Sequence, residues 1–315
     1  MKHILLLGAG FSCNWGGWSA ADVNDFLPTV ANVRADGHVL QVLSRTASAG
    51  GFEAALAELR EDYAKAPTQE NLAHLQTLQS AVTVMFRTME RGFASRPDWN
   101  FKHTVEYKIA HFLSGFDAIF TLNQDLLFER HYYDADLALN QPKKWFGWRR
   151  PGIRALNDLN QGRPYDVSLV TWTPIAPPFR LEAAHQPYIK MHGSWNWWSA
   201  DGQQMLIMGG NKPAAIQQHP LLQWYHELFE TYLSEPDSGL MVIGYGFGDP
   251  HINQMIERAA DKNPTMLLFA VDPRGRSILP ARISQIDAAG TSRPLLKDTF
   301  AGNEAERLKL MSFFS

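Results

Sequence analysis

Cysteine is almost missing from this chain of 315 residues: Cys13 is the only one. An internal disulfide is therefore impossible, and a structural zinc site built from several cysteines is excluded. A reducing cytosol fits such usage. Long hydrophobic runs are missing too, and nothing approaches the roughly 18 apolar residues of a membrane helix. The stretch from Met1 to Gly8 is too short for a signal-peptide core and runs straight into a glycine turn. The expectation is a cytoplasmic protein without a membrane partner. Charge of one sign is scarce, with a formal net charge of −3, so bulk charge gives no argument for nucleic acid or an anionic surface as a partner. Internal repeats and low-complexity tails are absent.

What is present supports a large core. Hydrophobic residues make up 45% of the chain, charged residues 19%, and ten are Trp. The length allows about two domains or one large α/β unit carrying an insertion. Ile4 to Leu7 reads as a buried strand, and strand signals return at Ala118–Phe120, Tyr188–Met191, Leu240–Ile243 and Met266–Val271. The last two are continuous apolar runs, as strands covered on both faces require. Helices are expected at Pro220–Leu233, at Pro250–Ala260 and near Asn303–Phe313. This alternation predicts an α/β fold, a doubly wound and mostly parallel Rossmann-like sheet, filling one domain over 1–315. Residues 31–104 take a helical period instead and predict a helical insertion. Within it Phe52–Tyr63 is one helix, and Thr68 caps a longer one with Leu72, Leu75, Val82, Met85, Phe86 and Met89 on its apolar stripe. Residues 132–186 have no clean period and six prolines, which predicts a second, irregular insertion.

Four short segments follow predicted strands and carry the chemistry. In an open parallel sheet they meet where the strands end. Gly8-Ala9-Gly10-Phe11-Ser12 follows the first strand; glycines there let backbone approach a pyrophosphate, though strand–Gly-x-Gly is also an ordinary tight turn. Asn123 and Asp125 follow the second. Both hydrogen-bond ribose hydroxyls well, and Asx residues also end strands for local reasons. His192 precedes Gly193 and Ser194; it is a candidate general base or a structural hydrogen-bonder. Gly244-Tyr245-Gly246-Phe247-Gly248-Asp249-Pro250 turns from strand to helix, with Asp249 placed as N-cap and Pro250 at the first helical position. Asp272 ends the fifth strand before Pro273, suited either to a ribose hydroxyl or to an Asp-Pro turn. His251 falls in the first turn of the helix after Pro250. No spacing of histidines and carboxylates reads as a metal site.

Together these segments resemble the sirtuin superfamily. Gly8 to Ser12 resembles its Gly-Ala-Gly-x-Ser loop, Thr121 to Asp125 its Thr-x-Asn-x-Asp segment, and His192-Gly193 its catalytic His-Gly pair. The resemblance implies NAD as substrate. It implies that Asn123 and Asp125 bind the nicotinamide ribose region and hold the reacting water, and that His192 is the base at the ribose hydroxyls. Gly8, Ala9, Gly10, Phe11 and Ser12 would line the pyrophosphate, with Gly244, Tyr245, Gly246, Asp249 and Asp272 completing the cofactor site. The chain departs from protein-deacylating sirtuins in lacking their four zinc cysteines. It also lacks their Pro-Asp-Phe-Arg stretch, of which Asp25-Phe26 is a faint echo. The glycine-rich segment before Pro250 and the helical insertion look instead like bacterial sirtuin-like proteins of anti-phage defence, which hydrolyse NAD. That branch implies a metal-free NAD glycohydrolase gated by a partner, a helicase-like ATPase or an Argonaute-like nuclease, or by assembly into a homo-oligomer. The alternatives are an NAD-dependent deacylase or ADP-ribosyltransferase, and a non-catalytic NAD- or ADP-ribose-binding module.

Two aromatic stretches stand apart. Lys143-Lys144-Trp145-Phe146-Gly147-Trp148-Arg149-Arg150 interleaves cations with rings, as single-stranded nucleic-acid sites do. With an acidic chain, a loop that packs its rings and leaves its charges wet is the favoured reading, and direct nucleic-acid binding is not expected. Trp195, Trp197 and Trp198 follow the histidine and either line a pocket or form an interface.

Overall fold

The computed structural model describes residues 1–95, 109–132, 143, 145–161, 165–285 and 289–315. The expected end of the helical insertion at 104, and Pro142, Lys144 and Pro164, lie outside the described residues.

A seven-stranded sheet forms the body. Its strands are β1 (Lys2–Leu7), β2 (Ala118–Thr121), β3 (Gly147–Arg149), β6 (His185–Lys190), β9 (Ser238–Ile243), β10 (Leu267–Val271) and β11 (Ala289–Ser292). The spatial order is β11-β10-β9-β1-β2-β6-β3, and every pairing is parallel. β4 (Ile153–Asp158), β5 (Val170–Pro174), β7 (Gly193–Trp198) and β8 (Gln204–Leu206) make a smaller mixed sheet in the order β4-β5-β7-β8.

Periodicity explains the double winding. Along β1, Ile4 and Leu6 face one core while Leu5 and Leu7 face the other. The first core holds the helices Pro220–Ser234 and Pro250–Lys262, through Leu222, Tyr225, Phe229, Ile252 and Ile256. The second holds the helices Ile109–Ser114, Leu127–His131, Leu296–Phe300 and Glu304–Met311. Burying one such aliphatic side chain is worth about 1.5–3 kcal/mol, so a strand apolar on both faces is fixed in the middle of the sheet.

The helical insertion has its own core. Leu56 and Leu59 of the helix Gly51–Lys65 meet Leu75, Leu78, Val82, Met85 and Phe86 of the helix Gln69–Ala94. Thr68 caps the second helix by accepting from the Asn71 amide. Gly92 lies inside that helix, which continues to Ala94 where the sequence would let the glycine end it. Trp195 and Met208 of the body enter the same core, Trp195 stacking on Phe86 at 6.4 Å between ring centres.

The segment expected to be irregular carries three short strands, β3, β4 and β5. Of its described prolines, Pro151, Pro177 and Pro178 sit in connections and Pro174 ends β5, so the strands stay too short to show a long alternation. Within the aromatic-basic stretch, Gly147–Arg149 form β3. Trp148 lies against Phe128, Tyr132 and Tyr188, and the Arg150 guanidinium stacks 3.6 Å over the Trp172 ring, whereas Phe146 is exposed, contrary to the expectation that the stretch packs its rings and leaves its charges wet. Trp197 is fully buried against Tyr225, so it and Trp195 are core residues. No helix among the described residues is long and apolar enough to cross a membrane.

Candidate active site at the sheet edge

The chain leaves β1 toward β2 and leaves β9 toward β10, so the topology switches between β1 and β9, the position where open α/β sheets bind ligands. β9, β1, β2 and β6 are direct neighbours. Their C-terminal ends therefore place the Gly244, Gly8, Asn123 and His192 segments side by side.

Glycine is needed here for loop-to-loop packing. A Cβ on Gly8 would meet the Tyr245 Cα at 2.5 Å, and one on Gly10 would meet the Gly244 Cα at 2.7 Å. Gly244 itself has φ of +64°, a left-handed conformation costly for other residues. The Gly10 amide donates to the Gly244 carbonyl at 2.9 Å, the Gly8 amide to Ile243 and the Phe11 amide to Gly8. The two loops thus form one interlocked floor. Phe11 turns into the second core.

Asn123 stands on that floor. Its side-chain nitrogen donates to the Gly8 carbonyl at 3.0 Å and to Ser12 Oγ at 3.1 Å, while its backbone amide donates to Thr121 Oγ1. Both amide hydrogens are thereby committed, and the carbonyl oxygen is the end left to accept. Asp125 lies beneath. One carboxylate oxygen accepts from Ser12 Oγ at 2.8 Å and the other from the Leu127 amide at 3.0 Å. Burial raises the Asp125 carboxyl above the usual range, opposed by the Lys190 ammonium. Asp125 therefore orients Ser12, which orients Asn123.

A buried charge network supports this corner. The Lys190 ammonium donates to the Asp125 carbonyl and to Glu129 at 2.9 Å, with both side chains essentially inaccessible. Glu90, from the helical insertion, accepts from the Leu126 amide at 2.8 Å. Burial pushes its carboxyl up to about 8, helped by the nearby Asp125 charge.

His192 is only 2% exposed. Its Nε2 lies 3.2 Å from the His251 Nε2, so one ring donates and the other accepts. Burial, with smaller contributions from Lys212, His226 and His251, holds its pKa well below the usual histidine range. It is neutral at physiological pH, the state a general base requires. Ser194 ties this loop to the neighbouring one by donating to the Gln124 carbonyl at 3.0 Å.

The remaining predicted residues divide. Tyr245 is buried, and its hydroxyl bonds Asp249 backbone and Asn253 Oδ1 at 2.9 Å. Gly246 is in open surroundings, with the Arg274 guanidinium its nearest neighbour. Asp249 occupies the N-cap position of Pro250–Lys262 but makes no capping bond; its carboxylate pairs with Lys212 at 2.7 Å, and Lys212 also pairs with Glu53 at 2.9 Å. The stronger charge partner outcompetes the cap. Asp272 gives both oxygens to Arg274, at 2.9 and 3.1 Å, which is the turn-stabilising arrangement. His226, from Pro220–Ser234, joins His192 and His251 in one cluster that no sequence spacing announced, because three separate elements supply it.

A cavity of about 1150 Å³ separates the helical insertion from the body, lined by Leu56, Arg60, Thr83, Trp198, Met208 and Asn211 among others. It does not reach Asn123 or His192.

Fold and site define an α/β protein with a topological switch point and with Asn123 and a buried His192 at adjacent strand ends. A family model described as SIR2-like domain matches residues 117–290, more than half of the chain, and the chain belongs to that family. The match begins after the Gly8–Ser12 loop. Among solved structures, the chain is similar to one described as "Structural Basis for the Mechanism and Regulation of Sir2 Enzymes", at 11% identity and a TM-score of 0.38, covering 98% of this chain and 93% of that one. No curated protein matches the chain. Membership of the SIR2-like family carries an NAD-binding module and NAD-dependent chemistry in general.

Proposed function

We propose that the chain is an NAD glycohydrolase that transfers the ADP-ribosyl group to water. The arrangement that carries the reading is Asn123 with its amide nitrogen locked to Gly8 and Ser12, one strand from a neutral His192. The free carbonyl oxygen of Asn123 is oriented to hold a water. In the reaction the bond between nicotinamide and ribose C1′ breaks, and its electron pair neutralises the pyridinium nitrogen. The water oxygen bonds C1′, and its proton leaves through His192 or to solvent. The leaving group is already cationic, so no strong general acid is needed. The site contributes geometry at an oxocarbenium-like ribose and a positioned nucleophile.

Water is favoured over a peptide acceptor because the single cysteine excludes the four-cysteine module of protein deacylases, and His192 is buried in this structure. Concealment of the base also supports gating. We place the protein in the cytoplasm as the toxic effector of a bacterial anti-phage system, opened by a partner or by self-assembly.

Incubation of purified protein with NAD, alone and with candidate partners, tests this reading. Free nicotinamide and free ADP-ribose in equal amounts are expected. No nicotinamide under any condition, or ADP-ribose attached to protein, overturns it.

A further inference from the structure

The cluster of His192, His226 and His251 has a geometry that hydrogen bonding does not use up. Each ring offers one nitrogen, and the three nitrogens all lie within 4.8 Å of one another. The ring planes are inclined to one another by 22–32°, with centres 5.3–6.3 Å apart. The separation of the His192 and His251 Nε2 atoms, 3.2 Å, is the edge that two imidazoles span on one tetrahedral metal, about 3.3 Å for bonds of about 2.05 Å.

His226 supplies the independent observation. Its Nδ1 donates to the Leu222 carbonyl at 2.8 Å. That bond places the proton on Nδ1 and leaves Nε2 as a lone pair. Nε2 is buried and has no hydrogen-bond partner among the described residues. A ring held by a backbone carbonyl on one nitrogen and bare on the other is how metal-ligating histidines are oriented. Burial lowers the pKa of His226 to about 4 and also lowers those of His192 and His251, which keeps all three rings in the neutral, ligating form.

We propose that His192, His226 and His251 bind a divalent transition metal of the zinc class, with a fourth coordination position left for water. The charges facing the cluster are mixed: the Lys212 ammonium faces His192 and His251, the Asp249 carboxylate faces His251, and Lys212 is itself paired with Asp249 and Glu53. The three ligands come from the turn after β6 and from two helices that pack in the same core.

Metal binding conflicts with the hydrolase reading of His192, and this consequence rests on that reading. A metal on Nε2 leaves the ring proton on Nδ1, so neither nitrogen remains free as a base. Metal-loaded protein is therefore an inhibited form.

Co²⁺ titration of the purified, metal-stripped protein tests the site without turnover. Visible d–d bands of four-coordinate cobalt, saturating at one equivalent, are expected. His226→Ala and His251→Ala should each weaken binding by on the order of 100-fold or more, exceeding the usual effect of an outer-shell change. Circular dichroism identifies any variant that fails to fold, and the other then decides. Absence of the bands in wild type, or unchanged affinity in a folded variant, overturns the site. In wild type, one equivalent of Zn²⁺ should suppress nicotinamide release; undiminished release at saturating Zn²⁺ overturns the inhibitory role. Without any release, the cobalt spectra still decide the site.

Discussion

Asn123 and His192 make different demands on the same residue scale. Asn123 is held through its nitrogen, and in the proposed reaction it acts through its oxygen. Asn123→Ala should abolish nicotinamide release while thermal unfolding stays close to wild type; a variant with undiminished release would remove Asn123 from the chemistry. His192→Ala should slow release by about a hundredfold, the lower range of acid–base contributions. Because burial depresses its pKa, His192 stays deprotonated as pH falls through the ordinary histidine range. The pH–rate profile of the metal-free enzyme should therefore show no acid limb near 6.5, and a limb there would mean that another histidine is the base. Residue types at strand ends were legible in the sequence, and Asn123 and His192 do stand on adjacent strands. Their partners were not legible. Asp249 looked like a cap and pairs with Lys212, while His226 carried no signal in the sequence and faces two other imidazoles. Such pairings depend on elements far apart in sequence meeting in space.

Elements explain why the strands were easier to find than the ties between them. β1, β9 and β10 are apolar on both faces, a pattern that needs no tertiary information. β3 and β11 are edge strands of three and four residues with few apolar positions, and only pairing to β6 and β10 makes them strands. The tie between Glu90 and the Leu126 amide joins the insertion to the loop holding Asn123, and it has a testable pH signature. The Glu90 carboxyl is raised to about 8 in the fold. A raised carboxyl favours the native state while protonated, so its contribution is complete below the unfolded value near 4.3 and is lost as pH climbs to about 8. Wild-type stability should fall across that window by a few kcal/mol. Glu90→Gln keeps an acceptor for the Leu126 amide and cannot ionise. Denaturant midpoints of the variant should match wild type near pH 5 and exceed it near pH 8; parallel decline in both would show that Glu90 is not the group responsible. Gly10→Ala tests the interlocked loops. Its Cβ would press on backbone rather than on a flexible side-chain tip, so soluble folded protein should be lost or strongly destabilised.

For the whole molecule, the proposed gating would act through the helical insertion. Its helices touch the segment after β8 at three places: Arg60 donates to the Met208 carbonyl, the Glu53 and Ala57 backbone packs on Gly209, and Glu53 pairs with Lys212. That segment is bonded to the histidine loop through the Ile207 amide and the His192 carbonyl, and Lys212 continues to Asp249 beside His251. A displacement of the insertion would therefore pull on both walls around His192, and the cavity of about 1150 Å³ between insertion and body gives it room to move. If His192 is the base of the proposed reaction, its burial requires opening, which the proposed gating assigns to binding of a partner or a second copy at the insertion. If self-assembly is the trigger, nicotinamide release per protomer should rise with protein concentration, together with a shift to larger species in size-exclusion chromatography. Release strictly proportional to protein concentration from a species that elutes as a monomer would rule out control by assembly. The same monomer silent until a partner is added would place the trigger on the partner.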